Sequence, residues 1–347
     1  MSDRTFANCT KVSLLLVSML FFQSVRAQYD FSAVERKLEA GKKDLGKDAF
    51  VIVYKDSKVI YQKGTGEFTV KTQAPIGNAS QWLTAALVMV YVDAGKLSLD
   101  DKVSKYIPVY TKYSKGYITI RDCLAHLTGL ESDRSFNLLG KKKYSSLEEE
   151  VNDFAAKKEI ESNPGLEFRY SNVGLNIAGR ILEIINHRSF EQLMQEKITR
   201  PLMMRNTSFA SFSSVNPSSG AVSTPNDYIN FLSMILNKGM FNGKAILSEK
   251  AVAAMQAVVT TPATIKLAPK VDAGFNYGFG NWIMESDENG NAVVLGHPGL
   301  TGTWPFVDKC RNYAAVIFTR GTLGEEKKEV YLDIKKSLDE QLKSSCK

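Results

Sequence analysis

Alternating hydrophobic and polar residues mark both ends of the chain. The segment AFVIVYKDSKVIYQKGTGEFT (residues 49–69) alternates on either side of Lys-Asp-Ser, which predicts a β-hairpin. Four further strand patterns lie near the other end, at residues 277–284, 292–296, 302–308 and 313–320. Helical spacing precedes the hairpin at residues 31–45 and follows the last strand at residues 324–343. The simplest pairing brings both ends into one antiparallel sheet covered by the terminal helices.

The middle of the chain has a mostly helical pattern, from Asn78 to about Ile246. Ser98 and Thr119 each precede an aspartate by three residues, an arrangement similar to a capping box, so we expect a helix to begin at each. Gly129 is expected to be a helix C-cap.

These patterns predict a mixed α/β (α+β) fold with two interleaved parts. The sheet part takes about residues 28–75 and 270–347, and a mostly helical lobe of about residues 76–269 is inserted into it. A cleft between two such lobes is a common place for a small-molecule site.

Residues 1–27 have the pattern of a secretory signal. Arg4 and Lys11 precede a short apolar run at residues 12–22, and small residues lie at the expected cleavage point after Ala27. The run is too short for a stable membrane anchor. We therefore expect an exported protein, periplasmic or secreted, that begins near Gln28 after cleavage. The alternative is a membrane anchor by an uncleaved signal.

Composition narrows the possible partners. The net charge of +7 falls to +5 without residues 1–27, which hold three basic residues and one acidic residue. This mild charge comes without a nucleic-acid-binding motif, so nucleic acid is not an expected partner. Cys123, Cys310 and Cys346 remain, enough for at most one disulfide. No Cys or His pair has metal-ligand spacing, and we expect neither a metal nor a cofactor.

The stretch PIGNASQWLTAALVMVYVDAGKLSLDD (residues 75–101) resembles the start of a catalytic helix with amides at the reactive positions. Asn78 and Gln81 are three residues apart and share one face at the helix N-terminus. A serine at the first position and a lysine at the second would form a Ser-x-x-Lys nucleophile, in which burial and the helix dipole lower the lysine pKa.

Three further blocks extend this similarity in order along the chain. They are ITIRDCLAHLTGLES (residues 118–132), NPGLEFRYSNVGLNIAGRILE (residues 163–183) and LGHPGLTGTWPFVD (residues 295–308). Together with the helix they resemble the penicillin-recognising serine hydrolases, the superfamily of class C β-lactamases, DD-peptidases and related esterases. The resemblance covers most of residues 28–347 and implies one β-lactamase-related domain.

The resemblance places the family's nucleophilic serine at Asn78 and its lysine base at Gln81. A carboxamide is a poor nucleophile, and glutamine has no proton that titrates near neutral pH. Ser80 lies about 200° around the helix from Asn78 and is expected to be a polar residue packed behind the site.

The same resemblance implies the other site residues. Tyr170 takes the position of a proton-transferring tyrosine, with a pKa near the ordinary value of about 10 in the absence of a lysine. Asn172 would bind a substrate amide, and His297 and Gly299 would line the opposite wall. Alternatively, Ser171 or Asn172 only caps a helix over residues 173–185, and His297 is structural.

The backbone N–H groups of Asn78 and Leu300 would form the family's oxyanion hole. His126 and Thr128 are interpreted as structural, and Cys123 as a core residue. Trp82 and Trp304 are expected either to pack in the core or to line the cleft.

Three functions remain open from the sequence. The first is a non-catalytic family member that binds a peptide-like or acyl ligand, such as a cell-wall fragment. The second is an active peptidase or esterase in which His297 or Tyr170 activates water directly. The third is a non-catalytic partner of an active paralogue. Whether the chain is an enzyme, and its oligomeric state, stay undecided at this level.

Overall fold

The computed structural model describes residues 29–132, 144–210, 214–321 and 327–346. The predicted signal at residues 1–27 therefore lies outside the described residues. No helix in the described ranges is long and apolar enough to cross a membrane.

Among the described residues, helices predominate in the middle of the chain and the longer strands lie toward both ends, as the sequence pattern predicts. The α-helices are α1 Ser32–Ala40, α2 Lys42–Leu45, α3 Ser80–Asp93, α4 Val103–Tyr106, α5 Val109–Lys112, α6 Ile120–Leu124, α7 Leu147–Lys157, α8 Val173–Asn186, α9 Phe190–Met194, α10 Pro225–Leu236, α11 Glu249–Gln256 and α12 Lys328–Asp339. The strands are β1 Ala49–Lys55, β2 Lys58–Gly64, β3 Ala74–Pro75, β4 Phe168–Arg169, β5 Val222–Ser223, β6 Met240–Phe241, β7 Lys244–Ala245, β8 Ile265–Leu267, β9 Asn276–Tyr277, β10 Trp282–Ser286, β11 Ala292–Gly296, β12 Trp304–Asp308 and β13 Tyr313–Thr319.

Both ends of the chain meet in one antiparallel sheet, which confirms the predicted fold class. Its order in the described residues is β2-β1-β13-β12-β11-β10-β9. The pairing of β1 with β13 brings Ala49 opposite Thr319 and Lys55 opposite Tyr313. The predicted hairpin is present, with Asp56 and Ser57 at positive φ in the turn.

The sheet is buried on both faces. Phe50 and Ile52 of β1 belong to the larger core, shared with the helices of the middle segment. Val51 and Val53 point the other way, into a second core under α1 and α12. Because side chains of a strand alternate between faces, this one apolar strand contributes to both cores.

The middle segment is mainly helical, as predicted, with short strand pairs β3–β5, β4–β8 and β6–β7 between helices. The division into a sheet part and a helical lobe at residues 76 and 269 stays a prediction.

The expected helix start at Ser98 is wrong. The Ser98 N–H donates to the Asp101 carboxylate, as in a capping box, but the Ser98 hydroxyl accepts from the Asp100 N–H, so the reciprocal bond is missing. The next residue, Lys102, is extended and bridges Thr119. The next helix begins at Val103. The start at Thr119 is confirmed, with a reciprocal capping box to Asp122.

Gly129 is not a helix C-cap. Helix α6 ends at Leu124, and His126 takes a left-handed conformation with φ of 55° soon afterwards. Gly129 lies farther along, at φ of 70°, where an added Cβ would come within 2.1 Å of the Ser162 carbonyl oxygen. The glycine is therefore required by a close approach between loops.

Candidate active site

The site is built around the N-terminal turn of α3. Asn78 lies in a 3₁₀ turn, Gly77–Ala79, and is buried. Gly77 has φ of 51°, and the Pro75 carbonyl accepts a hydrogen bond from the Thr301 hydroxyl at 2.7 Å. A Cβ at Gly299 would lie 2.2 Å from the Ile76 carbonyl oxygen. The loop after β11 therefore packs directly against this turn.

The backbone donors expected to form an oxyanion hole lie on these two packed segments. Asn78 lies within the turn before α3, and Leu300 lies between Gly299 and Thr301. Neither backbone N–H donates a hydrogen bond to another described residue. Whether they bind an oxyanion stays a prediction.

Gln81 is completely buried and fixed by two donors. The Ser171 N–H donates to Nδ1 of His126 at 3.4 Å, so the proton of the neutral ring lies on Nε2. That nitrogen donates to Oε1 of Gln81 at 2.9 Å, and the Tyr277 hydroxyl donates to the same oxygen at 3.1 Å. The orientation of the carboxamide follows from these two bonds.

The second half of the site joins Tyr170 to His297. Nδ1 of His297 donates to the Gly280 carbonyl oxygen at 2.9 Å, which leaves Nε2 as an acceptor. The Tyr170 hydroxyl donates to this Nε2 at 3.0 Å. Both side chains are buried, and the direction of the tyrosine proton is fixed by the tautomer of the histidine.

Burial keeps the titratable groups neutral. It lowers the pKa of His297 to about 3 and holds the pKa of His126 well below the usual range. It also raises the pKa of Tyr170 well above 10, and the charge of Asp272 adds to this effect. The neighbouring side-chain amides of Asn78 and Gln81 oppose the shift and are outweighed. The expectation of an ordinary tyrosine pKa was therefore wrong, because it left out desolvation.

One donor of Gln81 stays unpaired. Its Nε2 has no partner in hydrogen-bond geometry among the described residues. The Tyr170 hydroxyl is close enough for the Gln81 amide to lower its pKa, so we interpret the contact as a weak, long one.

Aromatic rings enclose these polar groups. Tyr170 stacks on Trp282 with ring centroids 5.5 Å apart, and Tyr277 meets the same indole edge-on at 4.8 Å. His126 lies 4.6 Å from the Tyr170 ring. The packing buries the polar groups, and the low dielectric of such surroundings strengthens the hydrogen bonds among them.

The remaining predicted residues lie around this cluster. Asn172 precedes α8 and makes no side-chain cap; the Val173 N–H is instead capped weakly by the Ser171 hydroxyl at 3.3 Å. Trp82 and Trp304 are both packed in the core. Cys123 is buried with a free thiol, and Thr128 is buried. No group of three His, Cys, Asp or Glu residues in the described ranges is arranged to hold a metal.

Two residues of the cluster were not predicted as part of it. His126 was interpreted as structural, and Tyr277 was not considered. Tyr277 is 196 residues from Gln81 in sequence, so no local spacing connects them. His126 lies just after the end of α6 with positive φ and is 45 residues from Gln81, so no local spacing connects these two residues either.

With this geometry in place, comparison with known proteins identifies the family. The family model described as Beta-lactamase matches residues 36–336, most of the chain. The chain belongs to the beta-lactamase family. The resemblance to penicillin-recognising serine hydrolases is thereby confirmed.

Curated relatives match part of this family member. Protein flp of Staphylococcus aureus strain MW2 is 28% identical over 172 residues, which is 46% of this chain and 34% of that protein. A protein of Escherichia coli strain K12 named "Putative D-alanyl-D-alanine carboxypeptidase" is 24% identical over 183 residues, 46% of this chain and 42% of that protein. The matched part thus spans less than half of either relative.

Solved structures match nearly the whole chain. A "putative beta-lactamase" from Bacteroides dorei DSM 17855 has a TM-score of 0.80 and 27% identity, covering 89% of this chain and 98% of that one. A penicillin-binding protein homologue from Caulobacter crescentus has a TM-score of 0.75 and 17% identity, covering 90% and 97%. At 17% identity, the likeness to the Caulobacter crescentus protein shows a shared fold and nothing more.

Proposed function

We propose that this chain is an exported member of the beta-lactamase family that has lost acyl-enzyme catalysis and binds a peptide-like or acyl ligand in the former active-site cleft. The observation that carries the proposal is the pair of amides, Asn78 and Gln81, at the positions that the family resemblance assigns to the serine and the lysine. Loss of a nucleophile in a serine protease costs on the order of 10⁶-fold in rate.

Ser80 does not offer a substitute nucleophile. Its hydroxyl donates to the Gly77 carbonyl oxygen at 2.6 Å and accepts from the Ala221 N–H at 3.1 Å. The side chain is completely buried. It has a structural role in holding the turn that carries Asn78.

Direct activation of water by His297 or Tyr170 is the weaker alternative. Both ring nitrogens of His297 already have partners, and its pKa of about 3 makes it a weak base. The Tyr170 pKa is raised well above 10 by burial, so the phenolate is scarce at neutral pH.

The ligand class follows from the family and its relatives. The Escherichia coli relative is named for D-alanyl-D-alanine, a peptide of the cell wall, and beta-lactams are acyl compounds. A cleft of this ancestry supports binding of peptide-like or acyl groups. Export is supported by the Cys310–Cys346 disulfide, because disulfides persist mainly in oxidising compartments.

The test is intact-mass spectrometry after separate exposure to a fluorophosphonate and to a penicillin. The Asn78→Ser/Gln81→Lys double variant is treated in parallel, after thermal unfolding has shown that it is folded. We expect no added mass on the natural protein and one adduct on the variant, located at position 78.

Labelling of the natural protein would contradict the proposal, and mapping the adduct would identify a nucleophile other than Asn78. A folded variant that gains no mass would show that more than the nucleophile pair has been lost from the cleft.

A further inference from the structure

A second concave site lies at the far end of α3 from the active site. This distal groove is lined by the end of α3, the loop at residues 95–101, Arg121 of α6 and one face of α11. Its volume of about 690 Å³ is within the usual range for small-molecule sites. Gln81 and Asp93 lie on the same helix, and about 18 Å of helix axis separates them. The groove is therefore distinct from the polar cluster around Gln81.

The walls of the distal groove follow from the way in which α3 ends. Gly95 has φ of 66°, and the N–H of Lys96 bonds back to the Tyr91 carbonyl oxygen at 3.0 Å. This is the pattern of a Schellman motif, which satisfies helix carbonyls and reverses the chain. The Asp93 carboxylate then accepts from the N–H and the hydroxyl of Ser248, each at 2.7 Å. These bonds hold the loop and the start of α11 against the end of α3.

The floor of the distal groove is apolar. Met89, Leu97 and Ala251 line it and are buried, and Leu99 and Ala254 beside them are half-buried. A hydrocarbon chain lying on these side chains would lose contact with water, which is favourable for binding. The floor thus suits the apolar part of a ligand.

The acidic groups of the distal groove already have donors. Asp100 accepts from Nε and Nη2 of Arg121 at 3.1 and 2.9 Å. The Lys105 ammonium donates to the Asp101 carboxylate at 2.7 Å. Asp93 is bound by the neutral donors of Ser248 described above. Two of the three carboxylates are therefore compensated by a cation, and each of the three accepts hydrogen bonds.

Two lysines of the distal groove have no acidic partner. Lys96 and Lys250 are exposed, and neither ammonium forms an ion pair or a hydrogen bond with another residue that the structure describes. The lining holds four basic and three acidic side chains, which gives a net charge of +1. An anion entering the groove would meet two ammonium groups that no carboxylate occupies, and charge-assisted hydrogen bonds to them would be available.

From this arrangement we infer that the distal groove binds a small organic anion with an apolar chain. The chain lies on the apolar floor and the anionic group lies toward Lys96 and Lys250. Contact with the floor supplies affinity, and the two ammonium groups select the charge of the ligand. The inference is independent of the proposed function, because the groove and the former active-site cleft lie at opposite ends of α3.

The test compares two probes with the same hydrocarbon chain and different charge. Isothermal titration calorimetry measures the binding of octanoate and of octanamide to the natural protein at pH 7 and equal ionic strength. We expect octanoate to bind roughly tenfold more tightly, the gain that two exposed ion pairs provide. Added salt should narrow this difference, because exposed charges are screened.

Variants locate the binding. Lys96→Gln/Lys250→Gln should abolish the preference for octanoate. Lys58→Gln/Lys71→Gln is the matched control, since it removes two exposed lysines outside the groove and should leave the preference unchanged. Ala254→Phe places a ring on the floor while keeping both groove lysines, and it should weaken the binding of both probes. Thermal unfolding checks that each variant is folded.

A local signal separates the distal groove from the cleft. In protein labelled with ¹³C at the methionine methyl groups, the Met89 signal, assigned with Met89→Leu, should shift when octanoate binds. Bound octanoate that leaves this signal unchanged overturns the inference, as does equal binding of the two probes or an equal response of the two double lysine variants. Absence of binding by octanoate at millimolar concentration overturns it too. A dimer in sedimentation velocity that Ala254→Phe dissociates would identify a second copy of the chain as the occupant instead.

Discussion

The disulfide between Cys310 and Cys346 gives the most direct quantitative prediction. Cys310 lies in the turn between β12 and β13, and Cys346 lies in the tail beyond α12. The N–H and the hydroxyl of Ser345 both donate to the Cys310 carbonyl oxygen at 2.7 Å. The bond thus fixes the tail to the sheet and closes a loop that contains β13 and α12. We propose to remove it with the Cys310→Ser/Cys346→Ser double variant.

The expected magnitude follows from the length of the loop. The two cysteines are 36 residues apart. In the loop-closure treatment a cross-link of this span lowers the entropy of the unfolded chain by roughly 13 cal/mol/K, which corresponds to about 4 kcal/mol at 25 °C. The Ser345 hydrogen bonds remain possible in the variant, but the tail can fray without the bond. We therefore expect a loss of about 2–4 kcal/mol in the free energy of unfolding.

The assay is urea unfolding followed by tryptophan fluorescence, with thiol titration in denaturant to count free cysteines. The chain without residues 1–27 holds three cysteines, so one free thiol is expected with the disulfide and three after reduction. A reductant should lower the unfolding midpoint of the natural protein and leave that of the double variant unchanged. Equal midpoints for natural and variant protein, with one free thiol counted in the former, would refute the loop-closure reasoning.

Three further predictions concern buried polar groups. Gln81→Leu should destabilise the fold by about 2–4 kcal/mol, because the His126 and Tyr277 donors lose their common acceptor. Gln81→Glu is the control, since its carboxylate keeps an acceptor oxygen for these donors. Chemical denaturation of both variants at pH 7 checks this. Asp272 has a folded pKa above its unfolded value of about 3.9, so the folded state retains the proton and stability should fall as pH rises above about 4, by at most ~1.4 kcal/mol per unit. Asp272→Asn should remove this slope, and a slope that persists in the variant must come from other groups. Lys335→Met should lower the free energy of unfolding by about 3 kcal/mol, because the buried ammonium contacts the carboxylates of Asp339, Glu285 and Asp308 at 2.7, 3.2 and 3.8 Å. The same change at the exposed neighbour, Lys336→Met, should cost little. Equal unfolding midpoints for these two variants would refute a stabilising role for the Lys335 ammonium.

The sheet could be predicted because its signals are local. The apolar run of β1 and the short turn after it predict a hairpin, and pairing this hairpin with the strands near the other end of the chain is the simplest arrangement. The helix expected at Ser98 failed for a tertiary reason. The Asp101 carboxylate accepts from the Ser98 N–H as expected, but pairing of Lys102 with Thr119 holds the next residue extended.

The site could be predicted only in part. The resemblance located Asn78, Gln81, Tyr170 and His297, and the structure brings the last three into one hydrogen-bonded cluster with Tyr277. The contribution of Tyr277 depends on a contact across much of the chain. Protonation states were also beyond the sequence, since they depend on burial and on tautomers that only the folded arrangement sets.

The double acceptor role of Gln81 has an evolutionary consequence. A single change of Gln81 to lysine would place an ammonium against the His126 and Tyr277 donors. His126 could accept a hydrogen bond from that ammonium only after a change of tautomer, which would break its contact with the Ser171 N–H. A single change of Asn78 to serine gives a hydroxyl without a base. Each single step toward a Ser-x-x-Lys pair therefore gives a chain that has lost stability or gained no activity, so both positions must change before the pair offers a catalytic advantage.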